Sequence, residues 1–261
     1  MLLISRGETA FVERVDAIAD SRIVKNDRNW FLNSEGMQMN IIRGPVEYWF
    51  GRPITDRSTP GHIHRLTQTY AVSDKTVSEI QYSHFEPKRF TTPNESAAMG
   101  ITWSDAISYC DWLNAQEDIE HRASIISLDA ETLKFDVSEK GYRLPSVWEW
   151  EYFARAGTTT SFSFGELDAE FSKSIFESEH RQALVFGPGL DNAIRSMVSE
   201  WTSTTFQSLS QKSRKGSIKL DDLVVIKVGN ISNSKSVSPF TENKLAKPSK
   251  GYCFRLARTI D

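Results

Sequence analysis

Apolar positions recur at helical spacing in three short stretches of this chain, each introduced by a helix-start signal. The sharpest is residues 142–155, YRLPSVWEWEYFAR. Pro145 ends an extended run, and Ser146 with Glu149 three residues on has the form of a capping box. In such a box the serine oxygen accepts from the Glu149 N–H while the glutamate accepts from the Ser146 N–H. Trp150, Phe153, Ala154 and Gly157 then fall at i, i+3, i+4 and i+7, which predicts an amphipathic helix closed by a glycine. Ser78 and Gln81 make the same signature ahead of Tyr82 and Phe85. Val77 is placed to staple against Tyr82, and Pro87 ends the run. The third helix starts at Thr102 with Asp105 at its third position, and Trp103, Ala106, Ile107, Cys110 and Leu113 form its buried stripe.

Elsewhere the period is that of strands. Residues 30–36 read as a strand running into a turn, and 37–50 as a second strand pair broken at Gly44-Pro45. Residues 52–61, with Pro53, Pro60 and several Thr and Ser, read as an irregular loop. Residues 64–72 alternate, with Leu66, Tyr70 and Val72 on one side. Residues 125–137 alternate about Asp129-Ala130 like an inserted hairpin. Strands are expected at 198–205, at 223–228 and, last, at 251–258, while 171–185 is ambiguous. The opening stretch 9–19 carries Phe11, Val15, Ile18 and Ala19 at helical spacing. The domain reading is therefore an N-terminal helix or linker over 1–29 and one domain over 30–261. That domain is α+β, with short helices packed among short antiparallel strands and long loops.

Composition narrows the partners. The chain of 261 residues carries 31 basic and 34 acidic side chains, a net charge of −3, so it has no global field for nucleic acid or an anionic membrane. The basic run 211–219 lacks interleaved aromatics and reads as a solvated loop. No apolar stretch approaches the length of about 20 residues that a transmembrane helix needs. The N-terminus lacks the regions of a signal peptide, so a cytoplasmic, reduced protein is expected. Two cysteines, Cys110 and Cys253, form neither a disulfide framework nor a zinc spacing. His62 and His64 share one side of a strand at a spacing a metal can use. No third ligand is identifiable nearby, and surface histidines at a loop-to-strand junction are the plainer reading. Asp221-Asp222 reads as solvated charge, and Gly187 to Gly189 as a turn rather than a phosphate cradle.

Five motifs in order resemble the formylglycine-generating enzyme (sulfatase-modifying factor) family over residues 33–258. They are the opening strands at 33–45; VSEIQYSHF at 77–85; ITWSDAISYCDWL at 101–113; residues 142–155; and SEWT at 199–202 with FRLAR at 254–258. The resemblance implies an elaborated C-type-lectin-like fold. It also implies copper(I) held by a C-terminal cysteine pair, which with oxygen converts a sulfatase cysteine to formylglycine. Soft thiolates suit cuprous ion, yet the corresponding stretch 225–236 contains no cysteine. Cys110 occupies a helix stripe and Cys253 the last strand, both as packing residues. No catalytic or cofactor-binding residue is expected, and copper is not expected.

The family's calcium motif precedes Glu-Trp-Thr. Here Glu200 remains as the one candidate calcium ligand, but Met197 replaces the asparagine, and a thioether is a poor donor to a hard cation. Of the seven tryptophans, Trp103, Trp112, Trp148, Trp150 and Trp201 lie in the motifs and most of them are expected in the core, while Trp49 is a candidate for a binding surface.

The expectation is a non-catalytic binding module that meets an unidentified protein or small molecule through loops at 50–62, 158–189 and 205–248. Some relatives are attached to bacterial protein kinases, so the segment before Trp30 reads as a shortened remnant of a larger design. The alternatives are an oxygen-dependent oxidase with atypical residues, and a purely structural domain.

Overall fold

The computed structural model describes residues 29–51, 61–120, 140–155, 157, 199–205, 224–228, 241–243 and 252–260. The expected N-terminal helix, the hairpin at 125–137 and the stretch 171–185 lie outside these residues, as do nearly all of the loop at 52–61 and Met197. The described elements run β1 (Trp30–Leu32), β2 (Gln38–Ile42), β3 (Val46–Phe50), β4 (His62–Leu66), β5 (Tyr70–Ser73), α1 (Glu79–Phe85) and α2 (Trp103–Gln116). They continue with β6 (Tyr142–Arg143), α3 (Val147–Arg155), β7 (Ser199–Thr205), β8 (Val224–Val228), β9 (Thr241–Asn243), β10 (Tyr252–Phe254) and β11 (Ala257–Thr259).

The strands make a five-stranded sheet in the order β1-β2-β5-β11-β6, a four-stranded sheet in the order β10-β7-β8-β9, and a separate ribbon of β3 and β4. The pairings are antiparallel except β10 with β7, which is parallel. This is the expected α+β class of short helices and short strands.

All three helix starts form as the sequence predicts. Ser78 and Gln81 exchange side-chain and backbone hydrogen bonds at 3.2 and 2.9 Å. Thr102 and Asp105 do so at 3.1 and 3.2 Å, and Ser146 and Glu149 at 3.2 and 2.7 Å. Each box satisfies two backbone donors that a helix terminus leaves open. The stripe of α2 is buried, and Val77 and Tyr82 enter the same core cluster, which also holds Met39, Trp103, Tyr109, Leu144, Trp201 and Phe254.

Three strand expectations need correction. Residues 37–50 do form two strands, but these do not pair with each other: β2 joins β1 and β5, and β3 joins β4. The alternating stretch 64–72 is not one strand, because the chain breaks at 67–69 between β4 and β5. A Cβ at Gly44 would stand 2.4 Å from the Gln68 carbonyl oxygen, so the two turns cross at a distance only glycine permits. The final stretch is also divided. Between β10 and β11 the chain passes from the smaller sheet to the larger one, and both intervening residues, Arg255 and Leu256, are buried. Strand β9 had no sequence signal.

Candidate functional site

Three buried ion pairs converge on α3 and on the elements it touches. The sequence pattern makes this helix amphipathic, yet only Trp148 and Tyr152 are half-exposed, and its charged residues Glu149, Glu151 and Arg155 are buried. Burying a charge is costly unless it is paired and hydrogen-bonded, and each of these is. Arg143 on β6 donates to both oxygens of Glu149, at 2.6 and 2.8 Å, and also to Thr259 on β11 at 2.9 Å. Burial pushes the Glu149 carboxyl up. The Arg143 guanidinium and the bonds from Ser146 outweigh it and hold the acid below its ordinary value.

The second pair ties the two sheets together. Arg255 donates to Glu200 on β7 at 2.5 and 2.6 Å and to the Ser73 carbonyl on β5 at 3.2 Å. Trp150 of α3 adds a third donor to Glu200, its ring N–H at 2.8 Å. Burial works against the charge on Arg255, but the adjacent Glu200 outweighs it and raises its pKa. The third pair, Glu151 with Arg155 at 2.8 Å, faces the ribbon. The Gly51 N–H donates to Glu151 at 2.6 Å, and Arg155 donates to the Gly51 carbonyl. Gly51 has φ +94°, and a Cβ there would meet the Gly61 Cα at 3.2 Å. Both ends of the 52–60 loop are thus brought together and one is clamped to a buried helix.

Aromatic rings fill the space between the ribbon and α3. The Tyr48 hydroxyl donates to the Trp148 carbonyl at 2.7 Å. His64 lies flat against Trp148, with centroids 5.1 Å apart and planes within 7°. Phe50 meets His62 and His64 at 5.4 and 6.0 Å, and Tyr48 meets Tyr152 at 5.2 Å. Burial, reinforced by neighbouring His62, lowers the pKa of His64.

The residues singled out in the sequence fall in different places. Glu200 is fully buried, with three donors on its two oxygens. Cys110 and Cys253 form no disulfide. They sit buried on α2 and β10, and burial raises both thiols above their ordinary range. The ring N–H groups of Trp103 and Trp201 donate to the carbonyls of Thr202 and Ile101, which makes both core residues, as expected. Trp49 lies on β3, in the expected strand pair, opposite Ile63, which is 68% exposed. His62 and His64 do share one side of β4, while His84 bonds Glu35 at 2.7 Å. Among the described residues, no three His, Cys, Asp or Glu side chains cluster to hold a metal ion.

Sequence reading missed Arg143, Gly51, Arg155 and Arg255. The i, i+4 spacing of Glu151 and Arg155 was a visible signal, whereas nothing in the sequence pairs Arg255 with Glu200.

Helices capped this way, set around a mixed small sheet and a larger antiparallel one, define a class that the comparisons identify. The sulfatase-modifying factor enzyme 1-like domain model matches residues 44–188, more than half of the chain, and the chain belongs to that family. Among solved structures it is similar to PvdO from Pseudomonas aeruginosa, with TM-score 0.61 and 16% identity over 90% of this chain and 99% of that one. Treponema denticola variable protein 1 gives 0.57 and 16% over 85% and 95%, and CarF gives 0.57 and 16% over 87% and 100%. At this identity the likeness is one of fold. No curated protein matches the chain.

Proposed function

We propose that this family member is a recognition module without the copper-dependent oxidase chemistry that the family resemblance implies. The observation that carries the reading is the state of the only two cysteines. Cuprous ion needs soft thiolates. Cys110 and Cys253 lie on separate core elements, buried and with thiol pKa raised, and the stretch 225–236 supplies no sulfur at all. The donor set does not fit copper(I).

Calcium at Glu200 fits no better. A hard cation wants six to eight oxygens, and the Glu200 carboxylate already faces the guanidinium of Arg255, whose charge opposes a second cation. In this reading Glu200 is a structural counter-ion.

Recognition through loops is supported by the way the 52–60 loop is mounted. Its base at Gly51 is held on both backbone groups by side chains of a buried helix. A rigid base lowers the ordering cost of binding through a variable loop. The loop at 158–189 lies outside the described residues, while the stretch 205–248 is not all loop, because it contributes β8 and β9 to the smaller sheet. The partner remains an unidentified protein or small molecule, with nucleic acid and membrane disfavoured by the charge balance. Among the described residues no helix is long and apolar enough to cross a membrane.

The test is a copper(I) competition titration against a colorimetric chelator, comparing the native chain with Cys110→Ser/Cys253→Ser. Unchanged affinity in the double variant supports the reading. One tight equivalent that Cys253→Ser abolishes overturns it.

A further inference from the structure

The geometry points to a two-imidazole chelate on the ribbon: His62 and His64 bind a divalent first-row transition cation, with water completing its coordination. The two residues alternate on β4, so period 2 places both rings on one side of the strand. Their centroids are 6.3 Å apart. A metal bonded at about 2.0–2.1 Å to one nitrogen of each ring separates the centroids by roughly 4.5–6.4 Å, according to the angle at the metal. The pair stands at the outer end of that span. His62 is exposed, and rotating its side chain closes the angle without moving the backbone.

Two features favour metal over idle surface histidines. His64 is positioned, stacked on Trp148 at 5.1 Å and edged by Tyr48 and Phe50 at 6.1 and 6.0 Å, so one ligand is preorganised. Among the described residues neither imidazole has a hydrogen-bond or ion-pair partner, so ligation displaces no existing bond. Imidazole suits copper(II), nickel(II) and zinc, and the affinity order of the first row places copper(II) highest. The proposal involves neither Cys110 nor Cys253, and its failure leaves the recognition reading untouched.

Copper(II) chloride is the probe, because a paramagnetic ion beside His64 quenches the Trp148 indole stacked on it. The full chain is titrated by fluorescence and by electron paramagnetic resonance, beside His62→Ala, His64→Gln and the control His84→Ala. The expected result is one equivalent bound with a two-nitrogen hyperfine pattern and a quenching amplitude that Trp148→Phe removes. Affinity should fall about 100-fold in His62→Ala, because the second bond of a chelate forms intramolecularly. His62 is exposed, so His62→Ala keeps the fold even where His64→Gln does not. Unchanged affinity in His62→Ala, loss of the signal in His84→Ala instead, or no equivalent bound by the native chain overturns the proposal.

Discussion

Arg255 holds both carboxylate oxygens of Glu200, at 2.5 and 2.6 Å, from the link that carries the chain out of β10 and into β11. The same guanidinium reaches Ser73 in the other sheet, so one ion pair fastens two sheets and, through Trp150, the helix α3. Replacing Glu200 with Ala strands a buried cation. Urea unfolding of Glu200→Ala is expected to show a loss of about 3–5 kcal/mol. Replacing both partners by apolar residues, Glu200→Leu with Arg255→Met, should recover much of that loss, because no lone charge is left behind.

Trp150→Phe keeps the ring in the core but removes one donor from Glu200. A loss of about 1–3 kcal/mol is expected by chemical denaturation. Trp201→Phe, which leaves the Ile101 carbonyl without its 2.7 Å donor, should cost a similar amount.

Acid should release the Arg143–Glu149 pair. Glu149 has its pKa lowered from the ordinary 4.5: burial opposes this, and Arg143 with the Ser146 bonds prevails. Below 4.5 the unfolded chain takes up the proton first, so the stability from this group is full above that value and falls as pH drops through the lower folded value. Stability measured against pH should therefore fall more steeply below 4.5 in the native chain than in Glu149→Gln, where this group no longer titrates. Parallel curves would mean that the pair contributes nothing to acid sensitivity.

The local grammar of this chain was legible: three capping boxes, the turn between β1 and β2, and the buried stripe of α2 all follow from residues close in sequence. What was not legible depends on distant residues. One polar face of α3 is buried because Arg143, six positions before Glu149, and Gly51, 100 positions before Glu151, meet it, and no period in 147–155 announces them. The division of 64–72 into two strands follows from the crossing of Gly44 over Gln68, a contact across 24 positions of sequence. For the site, the missing cysteine pair and the shared side of His62 and His64 were readable. The engagement of Glu200 by Arg255 was not.

Gly51→Ala should loosen the base of the 52–60 loop. Its φ of +94° disfavours a side chain, and the new methyl would press on Gly61 at 3.2 Å. A destabilisation of about 1–2 kcal/mol is expected, with faster amide exchange at Gly51 and Gly61 than in the native chain. Unaltered exchange there would show that the clamp from Glu151 and Arg155 does not depend on the glycine.

The two thiols should be inert in the folded chain. Both are buried and pushed up in pKa by that burial, and thiolate rather than thiol reacts. Alkylation followed by mass spectrometry should label neither cysteine in buffer and both in urea. Rapid native labelling of Cys253 would mean that it is accessible.

The proposed role is recognition without oxidation. It is tested most directly by aerobic incubation of the copper-supplemented protein with a cysteine-containing sulfatase peptide, followed by mass analysis and aldehyde capture. The peptide is expected to return with no aldehyde formed beyond a copper-only control. Aldehyde-bearing peptide produced by the native chain and lost in Cys110→Ser/Cys253→Ser would contradict it.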